Sequence, residues 1–213
     1  MTWLVTWLTL ALLVFAEPFW QIKPPEEWSD IELSQFLGDS PWAQMAAQPG
    51  KALVGKNAGQ GQLVQLYLAT AGPVVKAVAE RERRTELRRP GTAKALADDP
   101  LSEERSAWFA ENREGHIIVA ARVANNDAFS SGEETRRMEQ DSAMDLGRLR
   151  VKLSAYFPPT RLDPHLYLAF PREPVTASDK TVTFELYLPG VPGPYRTVTF
   201  KVKDMLVDGK LEM

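Results

Sequence analysis

From Arg148 to Lys203 apolar side chains recur at every second position, and this period of two restricts that part of the chain to extended strands with one buried face. Leu149, Val151, Leu153 and Ala155 alternate with Arg148, Arg150, Lys152 and Ser154; Leu166, Leu168 and Phe170 alternate with His165, Tyr167 and Ala169. Val182, Phe184, Leu186 and Leu188 alternate with Thr181, Thr183, Glu185 and Tyr187, and Val198, Phe200 and Val202 with Thr197, Thr199, Lys201 and Lys203. Four such segments in succession, joined by loops rich in proline and glycine, predict a C-terminal antiparallel meander with one wet and one buried face. Asp208-Gly209 signals a further tight turn that returns Lys210-Leu211-Glu212 toward the sheet.

The preceding half reads mainly as helices that must cover the apolar face. Ser29-Asp30-Ile31-Glu32 fits a capping box, with Trp28 and Leu33 placed as its hydrophobic staple and Gly38 suited to end the helix. Ser40-Pro41 reads as an N-cap and first position opening a short helix through Ala46. Residues 49–61 form a glycine-rich loop, and Lys56 there lacks the neighbours of a phosphate loop. A strand over 62–69 precedes a helix from Pro73 to about Arg88, whose arginine-rich second half is expected to be a solvated face with Glu80 and Arg84 paired. Asp99-Pro100 predicts the start of a helix reaching Asn112, with Trp108 and Phe109 as core residues. The apolar run His116–Val123 predicts a strand in the middle of the sheet, and 133–146 a polar, weakly amphipathic helix or helical loop ending at Gly147. The expected architecture is α+β: a single domain, mostly antiparallel sheet with helices packed on one face.

Composition restricts the chemistry. Of 213 residues, 44% are hydrophobic and 25% charged, as in a globular chain. The 25 basic and 28 acidic residues leave a net charge of −3, so no global field draws the chain to nucleic acid. The chain has no cysteine, which excludes thiol catalysis, iron–sulfur clusters, cysteine-ligated zinc and lipoprotein processing.

Met1 to Ala16 is nearly unbroken apolar sequence, and Val14-Phe15-Ala16 has the small residues of a cleavage site before Glu17. Residues 1–16 are therefore expected to be a signal peptide and the protein exported, periplasmic or secreted. The alternative is an uncleaved N-terminal membrane anchor, although Glu17 and Pro18 interrupt the roughly 20 apolar residues that a span requires. Pro18, Pro24 and Pro25 predict an extended tether over 17–27, which places the folded domain at 28–213.

The pattern Trp28, Phe36-Leu37, Asp39-Ser40-Pro41-Trp42-Ala43, with the ending Phe200-Lys201-Val202-Lys203-Asp204-Met205 and Asp208-Gly209-Lys210-Leu211-Glu212, resembles a bacterial family of uncharacterised exported proteins. The resemblance implies secretion and one α+β domain, and it carries over no catalytic residue.

No motif assigns a catalytic, cofactor-binding or metal-binding residue. His116 and His165 each begin a strand, and without a ligand spacing they read as strand-end imidazoles rather than as metal ligands with Glu114, Asp163 or Asp127. No Gly-x-Ser-x-Gly elbow is present, and the adjacent pairs Asp98-Asp99 and Glu133-Glu134 cannot face one another on a helix. Two functions follow as expectations. The first is a non-catalytic exported domain that binds a partner protein or envelope component through the basic wet face Arg148, Arg150, Lys152, Lys201 and Lys203. The second is an extracytoplasmic, hydrolase-like enzyme with His116 or His165 as general base. Neither calls for a cofactor or nucleic acid, and membrane contact enters only if residues 1–16 stay attached.

Overall fold

The computed structural model describes residues 17–49, 63–123 and 127–213; the expected export signal and nearly all of the glycine-rich loop lie outside them. The elements are α1 (Phe19–Ile22), α2 (Asp30–Phe36), β1 (Ala43–Ala46), β2 (Val64–Leu68), α3 (Gly72–Arg88), α4 (Thr92–Ala97), α5 (Ser102–Asn112), β3 (His116–Arg122), α6 (Gly132–Asp141), β4 (Ala143–Asp145) and β5 (Arg150–Lys152). There follow β6 (Ala155–Phe157), β7 (His165–Pro171), β8 (Thr181–Tyr187), β9 (Tyr195–Lys201) and a small hairpin of β10 (Leu206–Val207) and β11 (Lys210–Leu211). The α+β class holds, and every strand pairing is antiparallel.

The strands divide into two main sheets, ordered β1-β2-β3-β7-β6 and β5-β4-β8-β9. The sheets meet face to face through side chains such as Phe170 and Phe184, whose rings lie 5.3 Å apart. The segment expected to be one strand from Arg148 to Ala155 crosses between them. Leu153 N–H donates to the carbonyl of Ser142, just before β4 of one sheet, and Ser154 N–H to that of Ala169 in β7 of the other. Period two reports which side chains share a face; it carries no information on which sheet a strand joins. Helices α3 and α5 flank a cleft over the far side of the five-stranded sheet, so that sheet has both faces covered. This explains why β3 and β7 are buried along nearly their whole length, whereas β9 alternates strictly between buried and exposed.

At the N-terminus the capping box forms as expected: Ser29 Oγ accepts from Glu32 N–H at 3.1 Å and Ser29 N–H donates to Glu32 at 2.7 Å. These bonds, with Lys23 nearby, hold the Glu32 carboxyl down at about 2. Gly38 does not take a left-handed conformation; Leu37 ends α2 in right-handed geometry. Two further expectations fail here. Residues 17–27 are not an extended tether: α1 and a 3-10 turn at Pro25–Glu27 fold back, and Phe19 and Trp20 join Trp28, Phe36 and Trp42 in a chain of ring contacts of 4.8–5.8 Å. The prolines forbid a long helix, but aromatic burial still drives the segment onto the core. Ser40-Pro41 opens a turn rather than a helix, because pairing with β2 satisfies the following amides and carbonyls, as in Leu68 N–H donating to Trp42 O at 2.9 Å. The predicted helix over 133–146 likewise stops at Asp141, after which Ala143–Asp145 pairs on both sides inside the second sheet.

Helix α3 has no side-chain N-cap of its own. Glu212 supplies one from the far end of the chain, accepting Gly72 N–H at 3.2 Å, while its carbonyl accepts the Trp42 indole N–H at 2.7 Å. A Cβ at position 72 would stand 2.8 Å from that carboxylate, so glycine fits there. The hairpin turn Asp208-Gly209 has both residues at positive φ, as its sequence predicts, though it closes β10 on β11 rather than extending a main sheet.

The second half of α3 is not simply a solvated face. Glu80 is 4% exposed and accepts two bonds from Arg83, at 2.7 and 2.8 Å, and one from Arg84 at 2.5 Å. Arg84 also donates to Asp30 at 3.0 Å and to the carbonyls of Pro25 and Trp28 at 3.2 and 2.7 Å. One guanidinium thus ties α3 to α2 and to the folded-back N-terminal segment.

Candidate functional site

Between α3 and α5 lies a cleft of about 770 Å³, in the range of small-molecule sites. Antiparallel register builds its floor: Tyr67 of β2 and Tyr167 of β7 both stand opposite Ala120 of β3, so two phenol rings flank a residue too small to fill the space between them. Val75, Val78 and Ala79 of α3 and Phe109 of α5 form apolar walls, while Glu82, Arg113, Glu114 and Arg172 add charge. Phe109 meets Tyr167 edge to face at 4.8 Å.

Burial pushes the Tyr67 hydroxyl up to about 12 despite the nearby Arg81 guanidinium. Tyr167 moves in the same direction, with burial again the leading cause, followed by the neighbouring Tyr67 and Asp163. Both phenols are neutral at physiological pH. They can offer hydrogen bonds and aromatic surface, and they are poor bases. At Arg172 burial lowers the guanidinium value, and its Nη2 donates to the carbonyls of Arg113 and His116 at 3.2 and 2.9 Å, joining α5 to β3.

Under the tyrosines Asp163 acts as a hub. One oxygen accepts from His165 Nδ1 at 2.6 Å and His165 N–H at 3.2 Å; the other accepts the Tyr167 hydroxyl at 2.9 Å and lies 3.5 Å from Arg105 of α5. Burial alone would raise this carboxyl, but the His165 imidazole, the Tyr167 hydroxyl and Arg105 together bring it below the ordinary Asp range. The bond to Asp163 assigns the proton to His165 Nδ1, and its Nε2 is buried without a hydrogen-bond partner. Thr160 extends the network, donating to Asp99 at 2.5 Å and accepting Asp163 N–H at 2.9 Å. Asp99 therefore serves this cluster and is not the cap of α5, whose preceding residue is Leu101.

The two histidines are far from equivalent. His165 is 8% exposed and points into the protein. His116 Nδ1 lies 3.2 Å from Asn112 O, which leaves Nε2 to accept from the Ser154 hydroxyl at 3.2 Å. Neither lines the α3–α5 cleft. Among the described residues no group of three or more His, Asp and Glu is arranged to hold a metal ion. Glu134 accepts the Tyr187 hydroxyl at 3.0 Å, a packing role, and Glu133 does not share it.

The basic wet face expected from Arg148, Arg150, Lys152, Lys201 and Lys203 does not form one patch. Arg150 and Lys152 lie on β5 and Lys201 on β9, which are opposite edges of the four-stranded sheet, separated by β4 and β8. Arg150 is paired with Glu185 of β8 and Arg148 with Asp179 at 3.0 Å, while Lys203 sits in a 3-10 turn after β9. Alternation puts these side chains on the solvent side but cannot place their strands together. The residues that sequence reasoning gave no role at a site are Tyr67 and Tyr167, and Asp163, weighed there only as a metal ligand, is instead a hydrogen-bonding hub. His165 and Tyr167 share one face of β7 and Asp163 lies two residues before it in the same alternation; that was the available signal, and it became meaningful only once a helix covered the face. Comparison of the chain with protein-family models, with curated proteins and with solved structures finds no match.

Proposed function

We propose that this protein is an exported, non-catalytic binding domain whose ligand, a segment of a partner protein or an envelope component, occupies the cleft between α3 and α5. The observation that carries the reading is the cleft floor. Two tyrosines held neutral by burial, Tyr167 braced by Asp163 and Tyr67 beside Arg81, present aromatic and hydrogen-bonding edges within apolar walls, the composition of a recognition site. The hydrolase alternative has two contacts in its favour, the Ser154–His116 pair and the His165–Asp163 pair, but the free nitrogen of His165 is buried without a partner and its ring does not line the cleft. Against the first pair, the other nitrogen of His116 meets a main-chain carbonyl rather than a carboxylate, and neither Ser154 nor His116 lines the cleft.

Occupancy can be tested with 8-anilinonaphthalene-1-sulfonate, an aromatic anion whose fluorescence rises in apolar sites. The folded protein should bind the dye saturably, and Val78→Arg, which places a long cation in the wall, should abolish the signal without lowering the thermal midpoint. Equal dye binding by the variant would defeat the cleft reading.

Export follows from the apolar run at 1–16 and agrees with the family resemblance of the two chain ends. Among the described residues no helix is long and apolar enough to cross a membrane. Expression of the full chain in a bacterial host, with fractionation and N-terminal sequencing, should yield a soluble extracytoplasmic species that begins at Glu17. A membrane-bound species retaining Met1 would replace export by anchoring.

A further inference from the structure

The surface between α2, α3 and the end of β3 carries two adjoining depressions of about 270 and 540 Å³ that share Ser34, Gln65 and Arg122. Arg81, Arg84 and Arg88 from α3 line the first, and Arg161, from the loop before β7, lines the second. The one carboxylate on this surface is Asp30, already bonded by Arg84 and Arg88. Glu80, beside Arg81 in sequence, faces the interior and is engaged by Arg83 and Arg84.

The remaining guanidiniums have no internal partner of opposite charge. All 28 carboxylate side chains of the chain belong to described residues, and none of them forms an ion pair with Arg81, Arg122 or Arg161. In a chain of net charge −3 this is a local concentration of positive charge rather than a reflection of composition. Arg84, tied to two main-chain carbonyls and two carboxylates, holds the wall of the groove rigid, so the guanidiniums without a carboxylate partner, of which Arg81 also reaches the Tyr67 hydroxyl, stand on a fixed scaffold. Arginine forks match the oxygens of phosphate, and several forks spread along one groove favour an anion with more than one charged group.

We infer that the groove between α2, α3 and β3 is a binding site for a multiply charged phosphate-bearing anion, held by Arg81, Arg122 and Arg161. The site is separate from the tyrosine-floored cleft, and its occupancy does not depend on that reading.

Inorganic pyrophosphate is the probe, titrated calorimetrically into the full mature chain at low salt. Saturable binding is expected at one site. Arg81→Gln combined with Arg122→Gln should weaken it by about tenfold or more, the scale of losing charge-assisted bonds. Arg161→Gln alone, on an exposed loop, should weaken it less and preserves the test if the double variant folds poorly. Arg150→Gln, whose side chain pairs with Glu185 on the other sheet, should leave binding unchanged, as should Val78→Arg in the cleft. A second arm measures co-sedimentation with phosphatidylglycerol vesicles in a phosphatidylcholine background. A further set of vesicles carries cardiolipin, whose headgroup holds two phosphates and so matches a multiply charged ligand; cardiolipin binding lost in the same arginine variants identifies a lipid headgroup as the source of the phosphate, and binding of pyrophosphate alone identifies a soluble ligand. Absence of saturable binding in both arms, or equal binding by wild type and all arginine variants, overturns the inference.

Discussion

Asp163→Ala should lower the unfolding free energy by about 3–5 kcal/mol, the range for removing one partner from a buried charged pair. The substitution would strand three groups at once: the Nδ1–H of His165, the hydroxyl of Tyr167 and the guanidinium of Arg105. Each is largely enclosed between the five-stranded sheet and α5, where water cannot replace the lost acceptor. Urea denaturation is the direct measurement, and Asp163→Asn, which keeps one acceptor oxygen, should be milder. The pH dependence has a definite sign. The folded carboxyl lies below its ordinary value, so its contribution is complete above the unfolded value of about 3.9 and is lost as pH falls through the folded one. A loss below about 1 kcal/mol in the alanine variant would mean that the hub is not the brace under the tyrosines.

Arg84→Ala should cost about 2–4 kcal/mol, because a side chain only 14% exposed gives up bonds to two carboxylates and two main-chain carbonyls. Arg84→Lys should recover little, since an ammonium cannot reproduce the planar fork. Arg89→Ala, one turn further on and exposed, should be near neutral. Differential scanning calorimetry of the three variants separates these cases, and equal midpoints for Arg84→Ala and Arg89→Ala would reduce Arg84 to a surface residue. The carboxylate partner adds a pH window. Bonds from Arg83 and Arg84 outweigh the burial of Glu80 and hold its carboxyl at about 2. Its stabilisation is therefore complete above the unfolded value of about 4.3 and disappears as pH drops toward 2. Glu80→Gln should flatten the acid limb of the stability profile over that interval.

Both sites show where local reading of this chain stops. The pair Glu80–Arg84 is legible as an i,i+4 contact, but a helical wheel cannot say that Trp28 and Pro25 fold back over it and turn a surface pair into an internal joint. His165 and Tyr167 read as the wet side of a strand because they alternate with leucines. The α5 helix, placed by Trp108 packing near Phe157 and Phe109 on Tyr167, makes that side a second interior. The basic residues of β5 and β9 read as one face because alternation puts them all on the solvent side, which says nothing of the distance between their strands. The observed order puts β4 and β8 between them. The arginines that do gather, Arg81, Arg122 and Arg161, come from a helix, a strand end and a loop that no periodicity connects.

What the sequence determined by itself is local: the capping box at Ser29, the helix from Gly72 to Arg88, the period-two strands, the central apolar strand at His116 and the left-handed turn at Asp208-Gly209. Each depends on interactions among residues within a few positions, whose energetics are the same in any fold. The tertiary structure decided how the strands divide between two sheets, which faces are covered, and therefore which polar side chains are buried. Those outcomes depend on contacts between residues tens to more than a hundred positions apart, such as Trp42 with Glu212 and Arg84 with Trp28. The cleft, the Asp163 hub and the arginine groove all belong to that second class, because each is assembled from three or more elements that the chain brings together only on folding.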